Sequence, residues 1–251
     1  MSFALGLNTS QILARREFSP DETEKIISVI MRREAHEPLQ YILGEAEFFG
    51  RDFCVGEGVL IPRHDTETLI EAALKHIPHE EKFSFIDWGT GSGCIAVTLM
   101  LEFTKSFAYM IENNPDAAKF ASLNLEHYNL THRAKIISSA EGISECRFII
   151  SNPPYIPSHE IASLMNDVKD YEPHSALDGG EDGMKFYMEI FSLSEKIHCE
   201  YIILETGSIN QVQSLKNISR NFICCDEILN NGNFPRCLVF RRRNYHEETC
   251  G

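Results

Sequence analysis

Asp87-Trp88-Gly89-Thr90-Gly91-Ser92-Gly93 is the stretch on which the reading of the fold turns. The apolar residues 83–88 that lead into it have strand character, and residues 95–102 beyond it have helical character. Glycines between a strand and a helix let the backbone turn sharply and approach a ligand closely. The helix start that follows offers unbonded N–H groups. In an open α/β sheet, ligands sit outside the carboxyl end of such a strand. The spacing is Gly-x-Gly-x-Gly, with Cys94 where a dinucleotide fingerprint would carry its third glycine. This favours a nucleoside that lacks a pyrophosphate.

Strands and helices alternate downstream. Residues 107–111 read as a strand ending at Glu112, and Asn114-Pro115 opens a helix that runs to Tyr128. A carboxylate at the end of that second strand can accept both hydrogens of a ribose diol. Residues 135–137, 148–150 and 201–204 read as strands, and residues 184–197 as a helix. Residues 222–228 and 236–240 read as a closing hairpin around Asn230-Asn231-Gly232. The rhythm predicts an α/β fold, a mostly parallel sheet with helices on both faces and an antiparallel edge at its C-terminal end.

Upstream, residues 65–77 read as a helix, and Pro62 makes Val59-Leu60-Ile61-Pro62-Arg63 extended. Residues 48–55 read as a hairpin. Ser19-Pro20-Asp21-Glu22 is a helix start, with Ser at the N-cap and Glu three residues later. A shorter helix is expected after Asn8-Thr9. Two helices enclose little core, so this N-terminal piece reads as an appendage or a lid.

The 251 residues include 23 basic and 37 acidic side chains, a net charge of −14. Such a field repels phosphate backbones, so neither direct nucleic-acid binding nor an anionic membrane surface is expected. It suits a small cationic ligand or a basic protein partner. Arg241-Arg242-Arg243 reads as a solvated end. No stretch approaches the apolar length of a membrane span, and the N-terminus lacks the pattern of a secretory signal. Eight cysteines, at 54, 94, 146, 199, 224, 225, 237 and 250, form no CxxC pair and read as small hydrophobes in a reducing cytoplasm. The histidines show neither HxxxH nor HExxH spacing, and Asp178-Gly179-Gly180-Glu181-Asp182-Gly183 reads as a turn, so no metal site is expected. Arg63 reads as an ion-pair residue. Trp88 and Phe48-Phe49 read as packing residues.

Ser151-Asn152-Pro153-Pro154-Tyr155 follows the strand at residues 148–150. Two prolines hold the backbone extended and remove two N–H donors. The Asn152 side-chain oxygen and the Pro153 carbonyl are left as acceptors, and Tyr155 supplies an aromatic face. A planar amide or amino nitrogen is a weak nucleophile because its lone pair is delocalised. Two acceptors can bind its hydrogens, orient it and raise its electron density for attack on a sulfonium methyl group.

Together the glycine turn, Glu112 and Asn-Pro-Pro-Tyr resemble the S-adenosylmethionine-dependent methyltransferases of planar nitrogens. The likeness extends to the PrmC/HemK family through Glu37-Pro38-Leu39-Gln40-Tyr41-Ile42-Leu43-Gly44, Leu60-Ile61-Pro62-Arg63, Thr66-Glu67 and Asn124. Glu172-Pro173, Ala176-Leu177, Gly179-Gly180, Asp182-Gly183, Glu205, Gly207 and Gln211 also match. The resemblance implies a Rossmann-like methyltransferase fold with a seven-stranded sheet. It divides the chain into a helical substrate-docking domain (1–44, short for the family), a hairpin linker (45–63) and a catalytic domain (64–251). It implies methyl transfer from S-adenosylmethionine, leaving S-adenosylhomocysteine. The acceptor would be the side-chain amide of the glutamine in the Gly-Gly-Gln motif of class I peptide chain release factors. Gly89, Thr90, Gly91, Ser92, Gly93 and Glu112 would hold the cofactor. Asn152, Pro153, Pro154 and Tyr155 would hold the glutamine amide, with Asn152, Pro153 and Tyr155 catalytic and Asn152 also near the methyl donor. Glu112 and Arg147 stand where the family usually has Asp, and the adenine contact near Ser139, Ala140 and Glu141 stays open. A monomer is expected. Alternatives are a glutamine of a large-subunit ribosomal protein, an exocyclic amine of RNA or DNA, or a binding module without catalysis.

Overall fold

A computed structural model describes residues 5–15, 17–218 and 221–243. Short helices α1 (Thr9–Leu13) and α2 (Pro20–Glu34) come first. Both open on capping boxes, Asn8 with Gln11 and Ser19 with Glu22, in which the cap side chain accepts the partner's backbone N–H and the partner's side chain accepts the cap's. Helix α3 (Leu39–Leu43) leads through Gly44 into a hairpin of β1 (Glu45–Phe48) and β2 (Arg51–Cys54). Tyr41 of α3 donates its hydroxyl to the Val59 carbonyl, 2.6 Å away, which ties this front piece to the body.

The body follows as α4 (Glu67–His76), β3 (Ser84–Trp88), α5 (Cys94–Glu102), β4 (Phe107–Ile111), α6 (Pro115–His127), β5 (Ala134–Ile137) and β6 (Glu145–Ser151). Then come α7 (Asn166–Lys169), α8 (Lys185–Lys196), β7 (His198–Glu205), α9 (Ile209–Leu215), β8 (Phe222–Leu229) and β9 (Pro235–Arg242). Seven strands form one sheet in the order β5-β4-β3-β6-β7-β9-β8. Neighbours from β5 to β7 are parallel, and β9 is antiparallel to both β7 and β8. The expected fold class is what the structure shows. The order reverses beside β3, which leaves a crevice above the carboxyl ends of β3, β4 and β6.

Register explains the two-sided core. Phe85, Phe148 and Tyr201 lie side by side on β3, β6 and β7, and Ile86, Ile149 and Ile202 form the next row. Side chains alternate faces along a strand, so the first row meets α4, α5 and α6, and the second meets α8 and α9. Phe85 and Phe148 stack at 5.0 Å with a 13° interplanar angle. Helix α5 is buried along Cys94 to Met100, which is why its sequence is apolar all round rather than striped.

Three readings need correction. Strand β6 begins at Glu145, before the apolar run, because Glu145 and Cys146 already pair with His198 and Cys199 of β7. Arg242 is not a solvated end. It lies in β9 and donates to the carbonyls of Ser194 and Cys199, at 2.5 and 2.8 Å, satisfying the end of α8 and the start of β7. Cys94, Cys146, Cys199 and Cys237 are buried as expected, but Cys225 is exposed, and Cys250 lies outside the described residues.

Candidate active site

The crevice contains a cleft of about 470 Å³, within the usual range for a small-molecule site. The glycine turn forms its floor. Gly89 and Thr90 donate their backbone N–H groups to the Ile111 carbonyl at 2.9 and 3.0 Å, so the turn is docked on the end of β4. Gly89 and Gly91 have φ of 70° and 55°, the left-handed region where a side chain is strained. A Cβ at Gly89 would meet no atom within 4 Å, so glycine here leaves room above the turn.

Glu112 stands beside this turn. Its Oε2 accepts from Gly91 N at 2.9 Å and its Oε1 from Asn114 N at 2.8 Å. Each oxygen keeps a further lone pair, so the fixed carboxylate can still accept two hydrogens from a diol. The side chain of Asn124 holds the turn from behind. Its Nδ2 donates to the carbonyls of Ser92 (2.8 Å) and Cys54 (3.0 Å), and its Oδ1 accepts from Cys54 N (2.7 Å). The hairpin and the glycine turn are thereby joined by one amide.

Asp87 lies beneath the turn with no exposed surface. Its Oδ2 accepts from Thr90 Oγ1 (2.5 Å) and Ala96 N (3.2 Å), while Oδ1 is buried without a hydrogen-bond partner. Burial pushes its carboxyl up to about 7, against the opposing pull of these hydrogen bonds.

Asn152, just past the end of β6, also lines the cleft. Its Nδ2 donates to Thr66 Oγ1 at 3.0 Å, and Thr66 donates onward to Glu205 Oε2 at 2.6 Å. Arg236 donates to the other carboxylate oxygen at 2.8 Å and to the Tyr155 hydroxyl at 2.6 Å. Burial raises the pKa of Glu205 and the nearby guanidinium opposes that shift. Tyr155 in turn donates to Glu205 Oε1 at 3.1 Å, and Gln211 Nε2 holds its carbonyl at 2.7 Å.

The cleft wall therefore includes Gly89, Thr90, Gly91, Ser92, Glu112, Asn152 and Pro154 among the expected residues. Gly93, Pro153 and Tyr155 stand outside it. Gly93 is packed below the turn, where a Cβ would come within 2.8 Å of Met110. Pro153 is buried. Tyr155 is turned inward, its ring under the Arg236 guanidinium at 5.3 Å and so close to Gly207 that a Cβ there would lie 2.4 Å from it. Tyr155 is half-buried and lines a second cavity of about 420 Å³, beside Gly207 and Gln211.

Trp88, expected to be a packing residue, lines the cleft, with Phe186 of α8 at 5.4 Å. Arg63 also lines it and pairs at 2.6 Å with the buried Glu172. No short motif marks Phe186 or Arg236.

Among the described residues no cluster of three metal-ligating side chains occurs. The cleft volume, the open space over Gly89 and the free lone pairs of Glu112 fit a nucleoside-bearing cofactor.

Comparison with known proteins gives the family. The PrmC N-terminal domain family matches residues 1–44, and the methyltransferase small domain family matches residues 65–168. A release factor glutamine methyltransferase of Geobacter sulfurreducens is 41% identical over 191 residues, 74% of this chain and 66% of that protein. One from Koribacter versatilis is 37% identical over 227 residues, 82% of this chain and 80% of that protein. A methyltransferase structure from Pyrococcus furiosus shares the fold with a TM-score of 0.54 at 15% identity, covering 86% of this chain and 97% of that one. Identity sustained over four fifths of a relative's length, with matches to the PrmC N-terminal and methyltransferase small domain families, places the protein in the release factor glutamine methyltransferase family.

Proposed function

We propose that this methyltransferase transfers a methyl group from S-adenosylmethionine to the side-chain amide nitrogen of the glutamine in the Gly-Gly-Gln motif of class I release factors. The observation that carries the proposal is the position of Asn152, whose side chain can accept from an amide, on the wall of the same cleft as the glycine turn and Glu112. Family membership supports the choice of acceptor, since the relatives are named for it.

When bound, S-adenosylmethionine supplies an electrophilic methyl group on a positively charged sulfur. Gly89 and Gly91 give backbone room for it, and Glu112 accepts from its ribose hydroxyls. Asn152 Oδ1 accepts an N–H of the substrate amide, orients the nitrogen and raises its electron density. The new N–C bond forms as the C–S bond breaks, with the electron pair leaving on sulfur and the amide proton passing to water. No strong base is needed. In this reading the carbonyl of Pro153, the next residue in the chain, is the second acceptor. Tyr155 supports the loop from beneath.

The catalytic unit in this reading is residues 64–251, with the hairpin at 45–63 as a linker and residues 1–44 as a docking piece. Helix α2 buries none of its residues and exposes Ile27, Ile30 and Met31, as a surface for a protein substrate would. The net charge of −14 favours a basic protein over nucleic acid. We place the enzyme in the cytoplasm as a monomer. No described helix is long and apolar enough to cross a membrane.

The test is transfer of label from S-adenosylmethionine to a purified class I release factor, beside the same factor with Gln→Ala in Gly-Gly-Gln. Label on the unaltered factor alone is expected. Equal labelling of both would overturn the acceptor, and no label on either, from an enzyme that binds the cofactor, would move it to a ribosomal protein or RNA.

A further inference from the structure

The side-chain amide of Asn152 has two ends of similar size and opposite chemistry. Only the oxygen can accept a hydrogen from a substrate amide; the nitrogen would oppose donor to donor. Turning the amide over costs nothing sterically, so something must choose its orientation.

The groups behind Asn152 make that choice. Glu205 is fully buried, and Arg236 at 2.8 Å balances its charge. As a carboxylate it has no hydrogen to give, so the single hydroxyl hydrogen of Thr66 is committed to Glu205 Oε2 at 2.6 Å. The Thr66 oxygen then meets Asn152 with lone pairs only, and must receive an N–H. It does so from Asn152 Nδ2 at 3.0 Å. Thr66 is 2% exposed and Glu205 fully buried, so both partners are held in place by their surroundings.

We propose that Glu205 and Thr66 are positioning residues that fix the direction of the Asn152 amide, holding its oxygen toward the cleft. The inference rests on the reading of Asn152 as the substrate acceptor. Arg236 belongs to the same device: because it needs an acceptor at Oε1, it also fixes which side of residue 205 faces Thr66.

This device can be run backwards. In Glu205→Gln, the amide oxygen stays with Arg236 and the new NH2 faces Thr66. Thr66 then accepts from it and sends its own hydrogen to Asn152, which must turn its oxygen inward. Thr66→Val removes the hydroxyl and leaves Asn152 free to take either orientation. Thr66→Ser keeps the relay.

The experiment measures single-turnover rate, substrate KM and cofactor Kd for these variants, with cofactor calorimetry as the check on folding. Thr66→Ser should stay within about threefold of the parent enzyme. Thr66→Val should lose about tenfold in rate, and Glu205→Gln about a hundredfold, each with cofactor Kd unchanged. The combined Thr66→Val/Glu205→Gln variant should recover to near the Thr66→Val rate, because a broken relay cannot impose the wrong direction. A structural role predicts instead that the two losses multiply, and that result would overturn the inference. So would a Thr66→Ser enzyme as slow as Thr66→Val. Thr66→Ala replaces Thr66→Val in the same cycle if valine prevents folding. Asn152→Ala separates the two levels: full activity there defeats the reading of Asn152 itself, whereas its loss together with multiplying effects defeats only the relay.

Discussion

Helix α2 and the polar cluster behind Asn152 are held by opposite means. The helix is set by contacts within a few positions of one another, Ser19 with Glu22 and Arg32 with Glu37, and it buries no residue. The cluster joins residues 86 and 139 positions apart and is almost closed to water. Solvent can replace any single contact in the first, so each is worth little. In the second, removing one partner leaves another polar group buried and unpaired, so each is costly to lose. One region tolerates change and the other punishes it.

The strongest way to break this contrast is Arg236→Met, which leaves Glu205 without its guanidinium. The expected loss is about 3–5 kcal/mol of stability in urea denaturation. A loss below about 1 kcal/mol would show that the cluster is no more demanding than the surface.

Asp87 extends the comparison to pH. Its folded-state pKa is raised to about 7, above the ordinary 3.8. Between those values the folded chain binds the proton more tightly than the unfolded chain, so stability falls as pH rises through the window, by up to about 4 kcal/mol. Asp87→Asn can keep one acceptor for Thr90 and Ala96 but lacks the charge. Melts at pH 5 and pH 8 should show the parent protein losing stability relative to this variant; parallel curves would mean that Asp87 stays ionised throughout.

The two walls of the cleft should separate in kinetics. Asn152→Ala is expected to cut turnover by about a hundred- to a thousandfold while cofactor Kd changes less than tenfold, because the acceptor acts on the reacting amide. Glu112→Ala should do the converse, weakening cofactor binding by about ten- to a hundredfold with a smaller effect on turnover. Calorimetry and single-turnover rates on both variants would decide it, and matching profiles would deny the division. The smallest effect belongs to α2. Ser19→Ala removes one cap, worth about 1 kcal/mol locally. Amide exchange should quicken within Pro20–Glu34 and nowhere in the sheet.

What the sequence disclosed follows the same line. The caps at Asn8, Ser19 and Asn114 were readable because cap and partner are neighbours in the chain. Gly89, Glu112 and Asn152 were readable because each ends a strand in a repeating pattern, and such ends share one edge of a parallel sheet. The motif reading put Tyr155 on the cleft because adjacency to Asn152 says nothing about direction. Its orientation is set by Arg236, Glu205 and Gln211, which come from distant segments. Trp88 reads as packing in the sequence because nothing in its own strand announces Phe186 opposite. Arg242 looked like one of a solvated run because its acceptors, Ser194 and Cys199, are far back in the chain.

Strand β9 is the last of the sheet in chain order, yet it lies between β7 and β8. Arg236 is its second residue. During synthesis, the first strands can pair while the end of the chain is still within the ribosome, but β7 must wait with one edge open. Glu205 waits with it, lacking the cation that balances it. The nascent enzyme is therefore a sheet with a gap, exposed to misassembly, and its amide-directing apparatus cannot close until residues 235–242 have emerged and threaded into place. A chain stalled just short of that point would keep the glycine turn and Asn152 and still be unable to hold its acceptor in one direction.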